Sequence, residues 1–231
     1  MRGISPDYDS PGSDSNIPAH LGGTGRLADD LYLLTHHDIS GKPYLQPLAA
    51  GLGLAGALLA ELALAGQIRL RPDRLWVTGY APPADELGQS VLNLIISESG
   101  QPPVRDWLQF LARTAAADVG QRLAASGYLT RIRSRRPWRG ERWIPVDSDC
   151  AFAPLLRVKS ALHSSQPVTA QNAALAGLAT ACGLGHQMAL YLPPGALRRL
   201  DDAARHLDPG LRALIAQTRA AVDSALLSHW A

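Results

Sequence analysis

The chain has 231 residues, 46% of them hydrophobic, and a formal net charge of only +2. That is enough chain for one large domain or two small ones, and the charge excludes a protein basic over its whole surface. The two cysteines, Cys150 and Cys182, fall in no C-x-x-C or Cys/His spacing, which excludes a structural zinc motif and fits a reducing cytoplasm.

Alanine and leucine dominate the apolar residues, while phenylalanine occurs only at Phe110 and Phe152, a bias that favours helix over sheet. Of the 22 basic residues only Lys42 and Lys159 are lysine. With the alanine excess, this points to a GC-rich, bacterial genome, so arginine richness alone says little about function.

Residues 1–25 are rich in Ser, Asp, Pro and Gly and lack an apolar core, so they read as a disordered tail rather than a signal peptide. Residues 26–231 are expected to form one helical domain. Arg26–Thr35 reads as a short helix with Leu27, Leu31 and Leu34 on one face, followed by a turn-rich connection from His36 to Pro43. Leu48–Ala65 is apolar on every side and interrupted by Glu61, and Ala173–Leu192 is interrupted by His186 and Gln187. Neither offers the uninterrupted run of a membrane span, so both read as buried helices, the second over Ala170–Leu184. Gln67–Leu70 and Leu75–Thr78 form a short hairpin around Arg71-Pro72-Asp73. Asp85–Ser97 is a helix that turns Leu87, Val91, Leu94 and Ile95 inward, and a helical run from Pro102 to Ser126 breaks near Thr114. Helices over Asp149–His163, capped by Ser148 or Asp149, and over Pro194–Leu207 and Pro209–Ser228 complete the chain. The expected fold is mostly α: a single-domain helical bundle around buried hydrophobic helices, with short β-hairpins.

The segment Gly127–Asp147, GYLTRIRSRRPWRGERWIPVD, carries the strongest functional signal. Arg131, Arg133, Arg135, Arg136, Arg139 and Arg142 are opposed only by Glu141, so Arg131–Trp143 is net +5 while the rest of the chain is net −3. Trp138 and Trp143 flank the turn. A local cationic, aromatic patch suits anionic lipid or nucleic acid. A solvated arginine-rich hairpin is the plainer reading, weighed down by the cost of exposed indoles. Leu62–Val77 and Leu123–Val146 share a plan of helix end, glycine, apolar strand, basic turn and Trp-bearing return strand. Helix-then-hairpin is also the plan of a winged-helix DNA binder, and periodicity alone does not separate the two uses.

The segments RLADDLYLLT (Arg26–Thr35), GALLAELALAGQIRL (Gly56–Leu70), VRDWLQFLAR (Val104–Arg113), QRLAASGYLTR (Gln121–Arg131) and RWIPVDSD (Arg142–Asp149), in this order, resemble the Golgi phosphoprotein 3 family in its bacterial branch. The resemblance implies one mostly helical domain with a very hydrophobic central helix, and a projecting hairpin for membrane contact and self-association. It also implies binding of phosphatidylinositol 4-phosphate and a role as adaptor for the cytosolic tails of membrane proteins, with no enzymatic activity. The expected place of work is the inner membrane face, on the cytoplasmic side. Lipid-binding residues implied are Arg113 and the hairpin's Arg131, Arg133, Arg135, Arg136, Trp138, Arg139, Arg142 and Trp143. In the family's headgroup pocket, Gln46 stands at the Trp position, Ala55 and Ala116 stand at Arg positions, and Arg113 alone matches. A phosphate monoester needs several converging donors, so binding by overall negative charge is expected instead of headgroup recognition.

No metal, cofactor or catalytic residue is expected. His36-His37-Asp38 reads as a helix-end turn, because adjacent histidines do not easily face one ion. Glu61 must find a partner, reach solvent or be protonated. Cys182 and His186 read as core or helix-end residues. Gly51, Gly53 and Gly56 in GLGLAG lack the preceding strand that a phosphate loop needs. A nucleic-acid binder of winged-helix type is the main alternative. A diverged pocket near Tyr44, Gln46, Ala55 and Arg113, holding another small molecule or an activity, is the third reading.

Overall fold

The computed structural model describes residues 24–79, 82–83, 85–132, 142–163 and 167–228; the expected tail at residues 1–23 lies outside them. The described elements are α1 (Leu27–Thr35), α2 (Pro47–Leu64), β1 (Ile68–Leu70), β2 (Leu75–Val77), α3 (Glu86–Ser97), α4 (Val104–Leu111), α5 (Ala115–Ala125), β3 (Leu129–Ile132), β4 (Arg142–Pro145), α6 (Ser148–His163), α7 (Ala170–Ala181), α8 (Gly185–Tyr191), α9 (Ala196–Arg205) and α10 (Pro209–Ser228). The fold is mostly α, with two separate two-stranded antiparallel sheets.

Helix α2 is the axis of the bundle. It starts at Pro47, whose missing N–H costs nothing in a first turn, and α1, α3, α4, α5, α7 and α10 all pack on it. By length and composition it could cross a bilayer, yet it lies mostly buried inside the protein. The glycines of GLGLAG explain how so many neighbours reach it. A Cβ on Gly51 would lie 2.3 Å from the Ala112 carbonyl oxygen, one on Gly53 2.3 Å from Cys182 Sγ, and one on Gly56 2.6 Å from Thr218 Oγ1. Each glycine therefore admits a different element: the α4–α5 junction, the end of α7, and α10. The motif is a set of packing notches inside a helix, not a phosphate loop.

α1 departs from the amphipathic helix expected: all nine residues are buried, Asp29 and Asp30 included. α7 is buried over most of its surface as expected, but it stops at Ala181. Gly183, at φ +89°, turns the chain into the separate helix α8. In α3, Val91 and Ile95 point inward, but Leu94 is exposed and Leu92 takes the core position. The cap of α6 is Asp147 rather than Ser148 or Asp149, since its Oδ1 accepts from Cys150 N at 2.7 Å. α4 and α5 separate at Thr114, where the break was expected.

Each hairpin sets an arginine opposite a tryptophan, one pair past the buried Ile68 in the first and two pairs past the buried Leu129 in the second. Arg69 pairs with Trp76 across β1–β2, and Arg131 pairs with Trp143 across β3–β4.

Candidate functional site

Three features could carry function: the β3–β4 hairpin and its surroundings, an internal ionic cluster, and a cavity beside the 36–45 loop. The hairpin follows α5, whose end at Gly127 (φ +78°) lets the chain reverse into β3. Leu129 is buried while Arg131 and Ile132 are exposed. The Trp143 ring is half-buried: a Cβ on Gly120 would meet it at 3.2 Å, and would meet the Tyr32 hydroxyl at the same distance. Trp143 thus packs inward against the domain. Arg142 lies on β4 opposite Ile132. Arg133, Arg135, Arg136, Trp138 and Arg139 lie outside the described residues.

The base of the hairpin rests on the 36–45 loop. Gly41, at φ +59°, approaches the Trp143 carbonyl so closely that a Cβ there would lie 1.9 Å from its oxygen. The same loop exposes Ile39 at 75% and Tyr44 about half. Leu190 and Tyr191 of α8, which share the cavity lining with Tyr44, are exposed, and Leu48 at the start of α2 is half exposed. Ile39 and Tyr44 lie in a turn-rich loop without periodicity, while Leu48 lies in the first turn of α2, read from the sequence as buried, and Leu190 and Tyr191 lie at the end of α8.

The four positions of the expected headgroup pocket are distributed differently. Gln46 and Arg113 are exposed, Ala116 is half-buried against the core, and Ala55 is fully enclosed.

The ionic cluster gathers what the sequence scattered. Arg122 of α5 donates through Nε to Asp29 Oδ1 at 2.7 Å, and through its terminal nitrogens to Glu61 Oε2 at 3.2 Å, Glu61 Oε1 at 3.1 Å and Asp85 Oδ1 at 3.1 Å. Glu61 Oε1 also accepts Ala28 N at 2.7 Å, covering an N–H in the first turn of α1. Asp85 caps α3 by accepting Gly88 N at 3.0 Å. One guanidinium thus joins α1, α2, α5 and the start of α3. Arg157 of α6 likewise meets Asp30 and, at 3.2 Å, Asn172 Oδ1 of α7. Glu61 has found a partner, the first of the three outcomes open to it. Burial pushes the Asp29 carboxyl up to about 6 against the pull of Arg122, and raises Asp30 and Glu61 as well. For Asp85, burial is outweighed by the Gly88 N–H and by Arg122, and its carboxyl falls below the usual range. The sequence signal for the cluster was the pair Asp29-Asp30 inside an otherwise apolar helix.

His36 is a helix-end residue, stacked on Tyr32 with ring centroids 3.9 Å apart. Burial lowers its pKa to about 4. His37 Nδ1 takes the backbone N–H groups of Ile39 and Ser40 at 3.2 and 3.3 Å. Among the described residues, no three His, Cys, Asp or Glu side chains are grouped to hold a metal ion. Cys182 is buried at the end of α7, its thiol pushed up to about 12 by burial, and His186 is exposed on α8. Both cysteines are free thiols.

Residues 27–225 match the family model described as Golgi phosphoprotein 3 (GPP34). No curated protein matches the chain.

Proposed function

Because the chain belongs to the Golgi phosphoprotein 3 family, we propose that it is a peripheral membrane protein that docks on anionic lipid through the β3–β4 hairpin and the apolar surface at the hairpin's base. The observation that carries this reading is the contact of Gly41 with the Trp143 backbone. It sets the base of the hairpin, at Trp143, against the loop that carries exposed Ile39 and Tyr44, and the sequence from Arg131 to Trp143 has a net charge of +5. Cations attract the anionic surface at about 1 kcal/mol each, and aliphatic and tyrosyl side chains gain by entering the headgroup layer. Free thiols at Cys150 and Cys182 are in keeping with work on the cytoplasmic face. An adaptor role for the tails of membrane proteins, and self-association through the hairpin, extend the same reading. Catalysis forms no part of it.

The winged-helix alternative would need α5, or α2, to enter a groove. α2 is buried. The single basic side chain of α5 is Arg122, which faces inward among three carboxylates, while exposed positions on that helix include Ala117 and Gln121. A recognition helix without an outward cation is poorly suited to phosphate contacts. Lipid is therefore favoured over nucleic acid as the polyanion.

The test is cosedimentation with liposomes of neutral phosphatidylcholine, with and without phosphatidylglycerol, in the presence of competing duplex DNA. Binding that requires the anionic lipid and persists with DNA present is the expected result. Retention on DNA without binding to either liposome would transfer the hairpin to the nucleic-acid reading.

A further inference from the structure

Helix α10 lies on the core through Leu211, Leu214, Thr218 and Val222. Its other side is exposed and borders a groove of about 370 Å3 between α9 and α10. Ala204 of α9 and Ile215, Ala216 and Ala220 of α10 line this groove among charged residues. Three and four positions past Asp223, and so on the same face, Leu226 is 37% exposed and Leu227 is 74% exposed. Adjacent exposed leucines that continue a groove mark an interaction surface, whereas single ones need no explanation.

The charges on this face of α10 are left over as well. Arg205 of α9 pairs with Asp201 and Asp202. Arg212, Arg219 and Asp223 make no ion pair among the described residues, although Arg219 and Asp223 stand one turn apart. An arginine on the N-terminal side of an acid at this spacing is the weaker order of such a pair. Both side chains are therefore open to another molecule.

We infer that this face of α10 is where two copies of the chain meet, their α10 helices antiparallel about a two-fold axis level with Ala221. A two-fold contact is self-complementary, so each pair across it occurs twice. At this level Arg219 of one copy stands opposite Asp223 of the second. The same axis sets Ile215 and Ala216 opposite Leu227 and Leu226 of the second copy, so the exposed leucines cover the groove. Alanine at 216 and 220 lets the helix axes approach closely. The charges also select the arrangement. A parallel pair, or an axis level with Arg219 or with Asp223, sets like charges against each other. The contact is separate from the β3–β4 hairpin and does not rest on the lipid reading.

Sedimentation velocity of the full chain over a concentration series tests this. The parent should dimerise. Arg219→Asp and Asp223→Arg each place like charges across the axis and should weaken the dimer about tenfold or more. An equimolar mixture of the two variants should recover it, because each altered helix complements the other. The double variant Arg219→Asp with Asp223→Arg should recover it alone. Leu227→Gln should weaken the dimer without changing any charge. A parent that stays monomeric up to on the order of 100 μM, a dimer that both single variants keep, or a mixture no more associated than its components overturns the assignment. If a single variant does not fold, Leu227→Gln and the double variant decide, and a dimer unchanged by the first or lost in the second overturns it.

Discussion

The two helix-then-hairpin units follow one local plan and end in different circumstances. In both, a helix ends at glycine, a short strand follows, and an arginine faces a tryptophan across the ladder. The first hairpin is clasped by α10. A Cβ on Gly210 would lie 2.3 Å from the Leu70 carbonyl oxygen, and the Gln217 amide donates to the Pro72 carbonyl. Its strands are joined by residues 71–74, and Arg71 sits over the exposed Trp76 ring at 5.7 Å. The second hairpin turns Trp143 inward onto Gly120, rests its base on the 36–45 loop, and has residues 133–141 between its strands. A local sequence plan therefore specifies a hairpin but not its use. Whether it becomes a clasp or meets another surface depends on which distant element arrives, and α10 packs on the first.

The helices of the two units offer the largest contrast to break. Arg122 is the arginine that the second unit gives to the interior, and it satisfies carboxylates from α1, α2 and the cap of α3. Arg122→Ala leaves Asp29, Glu61 and Asp85 without their shared cation. Breaking one side of a buried ion pair costs about 3–5 kcal/mol. Urea unfolding followed by circular dichroism should show a loss of that order. A loss below about 1 kcal/mol would mean that the cluster behaves as a surface network.

The hairpins themselves come next. Replacing Arg135, Arg136 and Arg139 with Ala removes three charges worth about 1 kcal/mol each at an anionic surface. Liposome affinity should fall roughly a hundredfold. The matched control is Ala at Arg69, Arg71 and Arg74 of the clasped hairpin, which should change affinity less than about threefold. Similar losses from both triples would show that total charge matters and position does not. Trp138→Ala in the parent should weaken binding further than charge alone explains and remove a blue shift in tryptophan emission on lipid addition.

The ionic cluster also separates the units by pH. The Asp29 carboxyl, raised to about 6 from 3.8, binds a proton in the native state before it does in the unfolded chain. Its contribution to stability is therefore full at low pH and is lost as pH rises from about 4 to about 6. His36 acts in the opposite sense: its pKa is lowered to about 4 from 6.5, so its contribution is present above that range and lost as pH falls through it. Asp85, shifted downward, adds stability that disappears only in stronger acid. These opposing slopes make the parent's own curve a poor reporter. The difference between Asp29→Asn and the parent isolates the one carboxyl. The variant should gain relative stability by up to about 3 kcal/mol between pH 4 and pH 6. A flat difference across that range would show that Arg122 holds Asp29 ionised throughout.

The helices were legible because their periodicity and breakers are local: Pro47, Pro209, Asp85 and Gly66 mark ends without reference to anything distant. The buried character of α2 was legible from its all-round apolarity. Misreadings occurred where a tertiary partner decided the outcome. Leu94 and Leu92 are near neighbours on α3, and only the position of the adjoining elements chooses which is covered. Asp29 and Asp30 are acceptable in an all-buried helix because Arg122 and Arg157 come from 93 and 127 residues away. The cavity beside the 36–45 loop was invisible in the sequence for the same reason. Residues of α1, α6 and α8 line it together, though α1 stands more than a hundred positions from the other two in the chain.

The smallest expected effect concerns headgroup choice. If the second unit works by charge and by its apolar base, phosphatidylinositol 4-phosphate should have little advantage over phosphatidylglycerol at equal surface charge. The geometry supporting this expectation is that Ala55 is enclosed and Ala116 lies half-buried against the core, leaving Arg113 exposed without a second arginine at either position. A lone guanidinium offers one fork, whereas selection of a phosphate monoester needs several donors converging on it. Liposomes matched for zeta potential should therefore give affinities within about twofold, corresponding to less than about 0.5 kcal/mol. A preference of tenfold or more for phosphatidylinositol 4-phosphate would show selective recognition by this chain. Arg113→Ala in that case would locate the selectivity: loss of the preference would place it at the α4–α5 junction, and its persistence would place it in the hairpin.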